Sequence, residues 1–148
     1  MRITVNRARL FDVASLVGQA VAAKSTKKVF ECLRLVAKAG QLEIAGTDLE
    51  VAIRYRLADD VEVKEEGEAV VPAALLGSVL REVGDERISL AVAKQKMSLV
   101  TDGGAFTIEC VDAAEYPEIP GFPAAAAWKV GSADLQALVR KTQAAIKK

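Results

Sequence analysis

The chain has no histidine, two cysteines, four prolines and only 5% aromatic residues. Without histidine it lacks the commonest general base and the commonest zinc ligand. Cys32 and Cys110 lie far apart, outside any metal-ligand spacing. They read as buried thiols of a reducing compartment, with a disulfide or redox pair as the alternative. Charge of one sign is also missing, since 20 Lys and Arg balance 20 Asp and Glu. Composition therefore gives no push toward nucleic acid or membrane. No apolar run is long enough to span a bilayer, and Met1–Arg7 has no apolar signal core. A soluble, cytoplasmic protein is expected. Glycine-rich phosphate loops and metal-spaced clusters are absent as well, so neither catalysis nor a metal or other cofactor is expected.

What the chain does have is alternation. Gln41 to Leu57 reads as two strands around a turn at Gly46-Thr47-Asp48. Leu42 and Ile44 lie on one face of the first strand. Leu49, Val51, Ile53, Tyr55 and Leu57 lie on one face of the second. A period of two buries one face and leaves the other in water. Gly46 and Asp48 are read as turn chemistry, glycine for its access to positive φ. Such a hairpin needs a covering layer.

Two segments supply it. Leu10, Val13, Ala14, Val17 and Val21 recur at helical spacing after a short strand at Ile3–Val5. Leu75, Leu76, Val79, Leu80 and Val83 repeat the pattern after Pro72, which suits the first turn of a helix. Lys24, Lys27 and Lys28 form a basic loop after the first helix, and a strand is expected from Phe30 to Ala37. Three short strands follow the second helix. The first runs from Arg87 to Val92, the next alternates through Met97, Leu99 and Thr101, and the last through Phe106, Ile108 and Cys110, with a hairpin turn at Asp102-Gly103-Gly104. Asp59, Asp60, Glu62, Glu65 and Glu66 read as a solvated hairpin tip, because neighbouring carboxylates on a strand point apart. The expected class is α+β, with two helices packed on antiparallel β-sheet.

Val111 to Ala127 breaks the alternation with three prolines and a run of alanines, and reads as a linker by composition. Beyond it the beginning is echoed. Ile3, Val5, Ala8, Leu10, Val13, Ala14, Ala20 and Val21 correspond at constant offset to Trp128, Val130, Ala133, Leu135, Leu138, Val139, Ala145 and Ile146. Any strand followed by an amphipathic helix gives some likeness of this kind. A constant offset favours a tandem array that stops inside its second copy, at Lys148. The expected division is a first domain at 1–120, a linker at 121–127 and the start of a second domain at 128–148.

Four stretches in register resemble a known family. They are Gly46-Thr47-Asp48-Leu49-Glu50; Val71-Pro72-Ala73; Phe106-Thr107-Ile108 followed by Asp112-Ala113-Ala114-Glu115-Tyr116-Pro117-Glu118-Ile119; and Leu138-Val139-Arg140-Lys141-Thr142-Gln143-Ala144-Ala145-Ile146. Together they resemble the β sliding clamp, the processivity subunit of bacterial DNA polymerase III. The resemblance implies a repeated DNA-clamp fold. Two three-domain subunits would close head to tail around duplex DNA, with helices lining the hole and continuous sheet outside. It implies a homodimer without catalytic activity, and sequence-independent contact with double-stranded DNA. The replicative polymerase and the clamp loader would be met through domains outside this chain.

Lys24 falls where the family carries a basic, DNA-facing residue, and Arg81 sits near the end of the pore-side helix. Lys27 and Lys28 join them as candidates. For each the alternative is an ordinary exposed charge. Phe106 and Ile108 fall on the strand by which the first domain meets the neighbouring subunit. The alternative there is that both belong to the core. Ala74 and Asp12 depart from the family, making the pore face less basic than its pattern. A stand-alone module that binds protein through an exposed sheet edge is the rival account.

Overall fold

Residues 1–146 are described by a computed structural model; Lys147 and Lys148 lie outside the described residues, and with them the point where the second copy would stop. The chain runs β1 (Arg2–Asn6), α1 (Arg7–Gly18), β2 (Cys32–Lys38), β3 (Gln41–Thr47), β4 (Ala52–Leu57), β5 (Val61–Glu65), β6 (Gly67–Pro72), α2 (Ala73–Glu82), β7 (Arg87–Ala93), β8 (Lys96–Thr101), β9 (Gly104–Glu109) and α3 (Ser132–Gln143). The strands form two antiparallel sheets, not one. Their orders are β5-β1-β7-β8-β9 and β4-β3-β2-β6. The chain passes between the sheets at Glu66, so the acidic stretch is no hairpin tip. Its five carboxylates are all exposed, and the Glu66 Oε1 atom accepts the Ala39 N–H at 2.8 Å.

One core serves both sheets and both helices. Ile3, Val5, Ile88, Leu90, Met97 and Leu99 enter it from the five-stranded sheet; Leu33, Leu35, Leu42, Ile44 and Val71 enter from the four-stranded sheet. Leu10, Val13, Val17, Leu76 and Leu80 close it from the helices. The helical period and the strand period thus meet in one apolar volume, each element lacking the means to bury its face alone. α1 and α2 pack against each other. The Arg7 guanidinium joins them by donating to the Leu80 carbonyl at 3.0 Å.

Gly46 is not a turn residue. It lies within β3 at ordinary φ, where a Cβ would sit 2.8 Å from Val21 Cγ2 and 2.9 Å from the Val17 carbonyl oxygen. Its absent side chain lets the end of α1 approach the strand. The second strand of the hairpin begins only at Ala52, so Leu49 and Val51 miss the core and stand exposed. The intervening loop is fixed by its own side chains. Asp48 Oδ1 accepts the N–H groups of Glu50 and Val51, and Thr47 Oγ1 donates to the Val51 carbonyl. These bonds hold Leu49 at φ 78°, a conformation costly for a residue with a Cβ.

The first part of the presumed linker belongs to the domain. Val111 bridges to Val70 on β6, the Arg34 guanidinium of β2 stands 6.0 Å over the Tyr116 ring, and the Tyr116 hydroxyl donates to Ala45 of β3 at 3.3 Å. Arg54 of β4 then donates to the Ile119 carbonyl at 2.9 Å. Residues 111–119 therefore form a strap across all four strands. Beneath it Val29, Cys32, Val70 and Tyr116 make a second small apolar cluster.

Beyond the strap, Trp128–Val130 pairs with no strand among the described residues, but the helical half of the echo is present. The offset that carries Ile3 onto Trp128 carries α1 onto α3, residue for residue. α3 is exposed on every side, with Leu135, Leu138 and Val139 uncovered.

Candidate nucleic-acid interface and subunit edge

The basic loop is built by the way α1 ends. After Gly18 the chain turns, Ala20 is buried, and the Ala22 N–H bonds the Phe30 carbonyl at 3.0 Å. Lys24, Lys27 and Lys28 are thereby carried on a closed loop, and all three are exposed. The strand expected from Phe30 starts instead at Cys32, because Lys28–Glu31 forms a 3-10 turn.

That turn brings in a residue the sequence reading left out. Glu31 Oε1 accepts the Ser25 N–H at 2.9 Å, and Glu31 Oε2 accepts from Lys28 Nζ at 2.9 Å. The hydrogen bond from Lys28 holds the Glu31 carboxyl below its ordinary range, helped by the Ser25 N–H and by the charges of Lys28 and Lys24. In return the Glu31 hydrogen bond and charge push the Lys28 ammonium up. Of three lysines in the loop, one is directly paired and a second lies within electrostatic reach of the same carboxylate. The Lys-x-x-Glu spacing of 28 and 31 carried that signal, being an i,i+3 pair.

Arg81 lies in the last turn of α2, where a cation suits the helix dipole. Its guanidinium stands 6.0 Å from the Phe11 ring on α1, within the range of a cation–π contact. Between the helices runs an open groove of about 740 Å³, whose walls include Phe11, Ser15, Lys28, Ala74, Ser78 and Arg81. Lys28 and Arg81 thus share one groove, while Lys24 and Lys27 do not line it. Ala74 leaves its wall neutral at one point, and Asp12 is exposed on α1. Arg9, also exposed on α1, is a cation that the reading by loop cluster passed over.

Phe106 and Ile108 prove unequal. Both lie on β9, the last strand of its sheet, facing Leu99 and Met97 of β8. Ile108 is 4% exposed and belongs to the core; Phe106 is 38% exposed. The outer edge of β9 has no strand partner among the described residues, which leaves its backbone groups open to another chain.

Among the described residues no three His, Cys, Asp or Glu side chains gather as a metal site, and no helix is long and apolar enough to cross a membrane.

Comparison with known proteins agrees with this layout. The model of the DNA polymerase III beta subunit N-terminal domain matches residues 1–120. The beta sliding clamp of Micrococcus luteus is 27% identical over 99% of this chain and 47% of its own length. That of Pseudomonas aeruginosa is 28% identical over 99% of this chain and 40% of its own. The chain therefore spans less than half the length of these relatives. The crystal structure of the DNA polymerase III subunit beta from Pseudomonas aeruginosa superposes on all of this chain, and on 40% of that one, with a TM-score of 0.88 and 27% identity. The beta subunit from Thermotoga maritima gives a TM-score of 0.81 at 25% identity, over 95% of this chain and 38% of that one. By sequence and by fold, the chain belongs to the DNA polymerase III beta subunit family, through that family's N-terminal domain.

Proposed function

We propose that this chain supplies the first domain of a cytoplasmic, ring-shaped processivity factor that encircles duplex DNA and tethers a replicative polymerase, with no catalytic step of its own. The observation that carries this reading is the superposition of the whole chain, α3 included, on a polymerase III beta subunit. In this reading residues 1–120 are the first clamp domain, 121–127 a linker and 128–148 the start of the second domain. The ring is a homodimer, and further domains meet the polymerase and the clamp loader. Retention by encirclement leaves phosphate contacts few and blind to sequence. Lys24 and Arg81 are assigned the leading contacts, with Lys27 and Lys28 beside them. The β9 edge, with Phe106 as its accessible side chain and Ile108 behind it, is assigned to the neighbouring subunit.

The test uses a polypeptide carrying this domain at the length of its relatives. Loaded on nicked circular DNA, it is expected to survive high salt and to leave when the circle is cut. Equal loss from closed and cut DNA overturns the ring. Lys24→Glu combined with Arg81→Glu is expected to weaken DNA binding; unchanged binding removes the helix face from contact with DNA.

A further inference from the structure

Glu31 is the only acidic residue between Gln19 and Cys32. Its side chain is 21% exposed, against 67% for the Lys28 side chain that it pairs with. Both carboxylate oxygens are used, one by the Ser25 N–H and one by the Lys28 ammonium. Lys24 adds positive potential at the same carboxylate. A backbone N–H and an ammonium group meeting one pair of anionic oxygens, with a second lysine nearby, is an arrangement suited to a phosphate. Here the anion is the chain's own.

We propose that Glu31 is a built-in competitor for DNA phosphate, occupying the anion position of the basic loop so that Lys28 contacts a passing phosphate only by exchange. The inference rests on the assignment of this face to DNA. Each contact made by Lys28 either breaks its bond to Glu31 or sets the phosphate against the Glu31 charge, so the gain per contact is small and the next phosphate meets the same balance. A clamp that has to move along the duplex needs contacts of this kind. An unpaired lysine would release a full counterion's worth of salt-dependent affinity and would grip instead.

The experiment is a salt titration of the full chain on a short duplex of arbitrary sequence, read by fluorescence anisotropy. Glu31→Gln keeps an oxygen for the Ser25 N–H and removes the charge, so the loop stays closed. It is expected to bind several-fold more tightly at low salt and to steepen the log–log salt slope by about one, the value of one added phosphate contact. Lys28→Met is expected to cost more affinity in the Glu31→Gln background, where it abolishes the gain, than in the unaltered chain. That non-additivity is the signature of a local pair. An unchanged slope in Glu31→Gln overturns the proposal. So does a gain that persists without Lys28, which would make it an effect of net charge. Lys24→Glu with Arg81→Glu separates the two readings. If that pair weakens binding while Glu31→Gln does nothing, only the competitor role fails. If neither changes binding, the DNA face fails with it.

Discussion

The hydroxyl of Tyr116 donates to the carbonyl of Ala45, 71 residues earlier in the chain, and by that bond the strap is fixed to the middle of a sheet it does not belong to. Tyr116 is buried, and burial pushes its hydroxyl up to about 12, while the nearby Arg34 charge pulls weakly the other way. Tyr116→Phe keeps the ring and loses the bond. It is expected to lower stability by about 1 kcal/mol in urea unfolding. Tyr116→Ala removes the ring as well and is expected to cost about 3–5 kcal/mol.

The same burial gives stability an alkaline limit. Tyr116 ionises at 10 when exposed and at about 12 in the fold; buried Cys32 is likewise raised from 9 to about 11. Between those values the folded state holds protons that the unfolded state has released, so stability falls as pH rises. The decline from Cys32 begins near pH 9 and that from Tyr116 near pH 10. Urea midpoints measured across this range are expected to fall less steeply above pH 10 in Tyr116→Phe. An identical slope in the variant would assign the loss to other groups.

Gly46 and Gly77 are expected to respond in opposite ways to alanine. At Gly46 the new methyl meets a backbone carbonyl of α1 at 2.9 Å and a valine methyl at 2.8 Å, so strand or helix must shift. Overpacking of this kind costs about 1–3 kcal/mol. At Gly77, within α2, a Cβ meets nothing within 4 Å. Alanine there is expected to stabilise by about 0.5–1 kcal/mol through the unfolded chain and helix propensity. Thermal unfolding of the two variants decides both signs.

Phe106 and Ile108 need separate substitutions. Ile108→Asp places a charge in the core beside Met97 and is expected to unfold the domain or cost more than about 4 kcal/mol. Phe106→Asp, at the exposed end of the same strand, is expected to leave domain stability within about 1 kcal/mol. In a polypeptide of the relatives' length, its proposed effect is a weaker dimer by sedimentation. An unchanged dissociation constant would free Phe106 of that role.

Most elements were legible because their periods are clean. Ile88–Leu90 and Met97–Leu99 alternate, and Leu76–Leu80 steps by four, so strand and helix are written in the spacing of apolar residues. What stayed hidden depends on tertiary neighbours. Gly46 looked like a turn because glycine beside Thr-Asp is ordinary turn composition; only the packing of α1 reveals a glycine required by close approach. Leu49 and Val51 continued an alternation that the side-chain bonds of Thr47 and Asp48 interrupt. Prolines concealed the strap, since Pro117 and Pro120 forbid sheet but not a chain lying flat across one. At the candidate site the cations were visible as a cluster. Glu31 is hidden in the sequence because it meets Lys28 across a 3-10 turn, where the apolar spacing from Phe30 reads as strand.

The strap has a consequence for how the domain comes to be made. Its partners on β3 and β4 precede it by 71 and 65 residues, and it can dock only on a sheet whose four strands are already side by side. Closing such distant pairs is slow relative to local helix and hairpin formation. On a ribosome, the cluster around Val70 and Cys32 has no lid until Ile119 has left the exit tunnel. The last residues of the domain to be synthesised are then the ones that cover the outer face of that sheet.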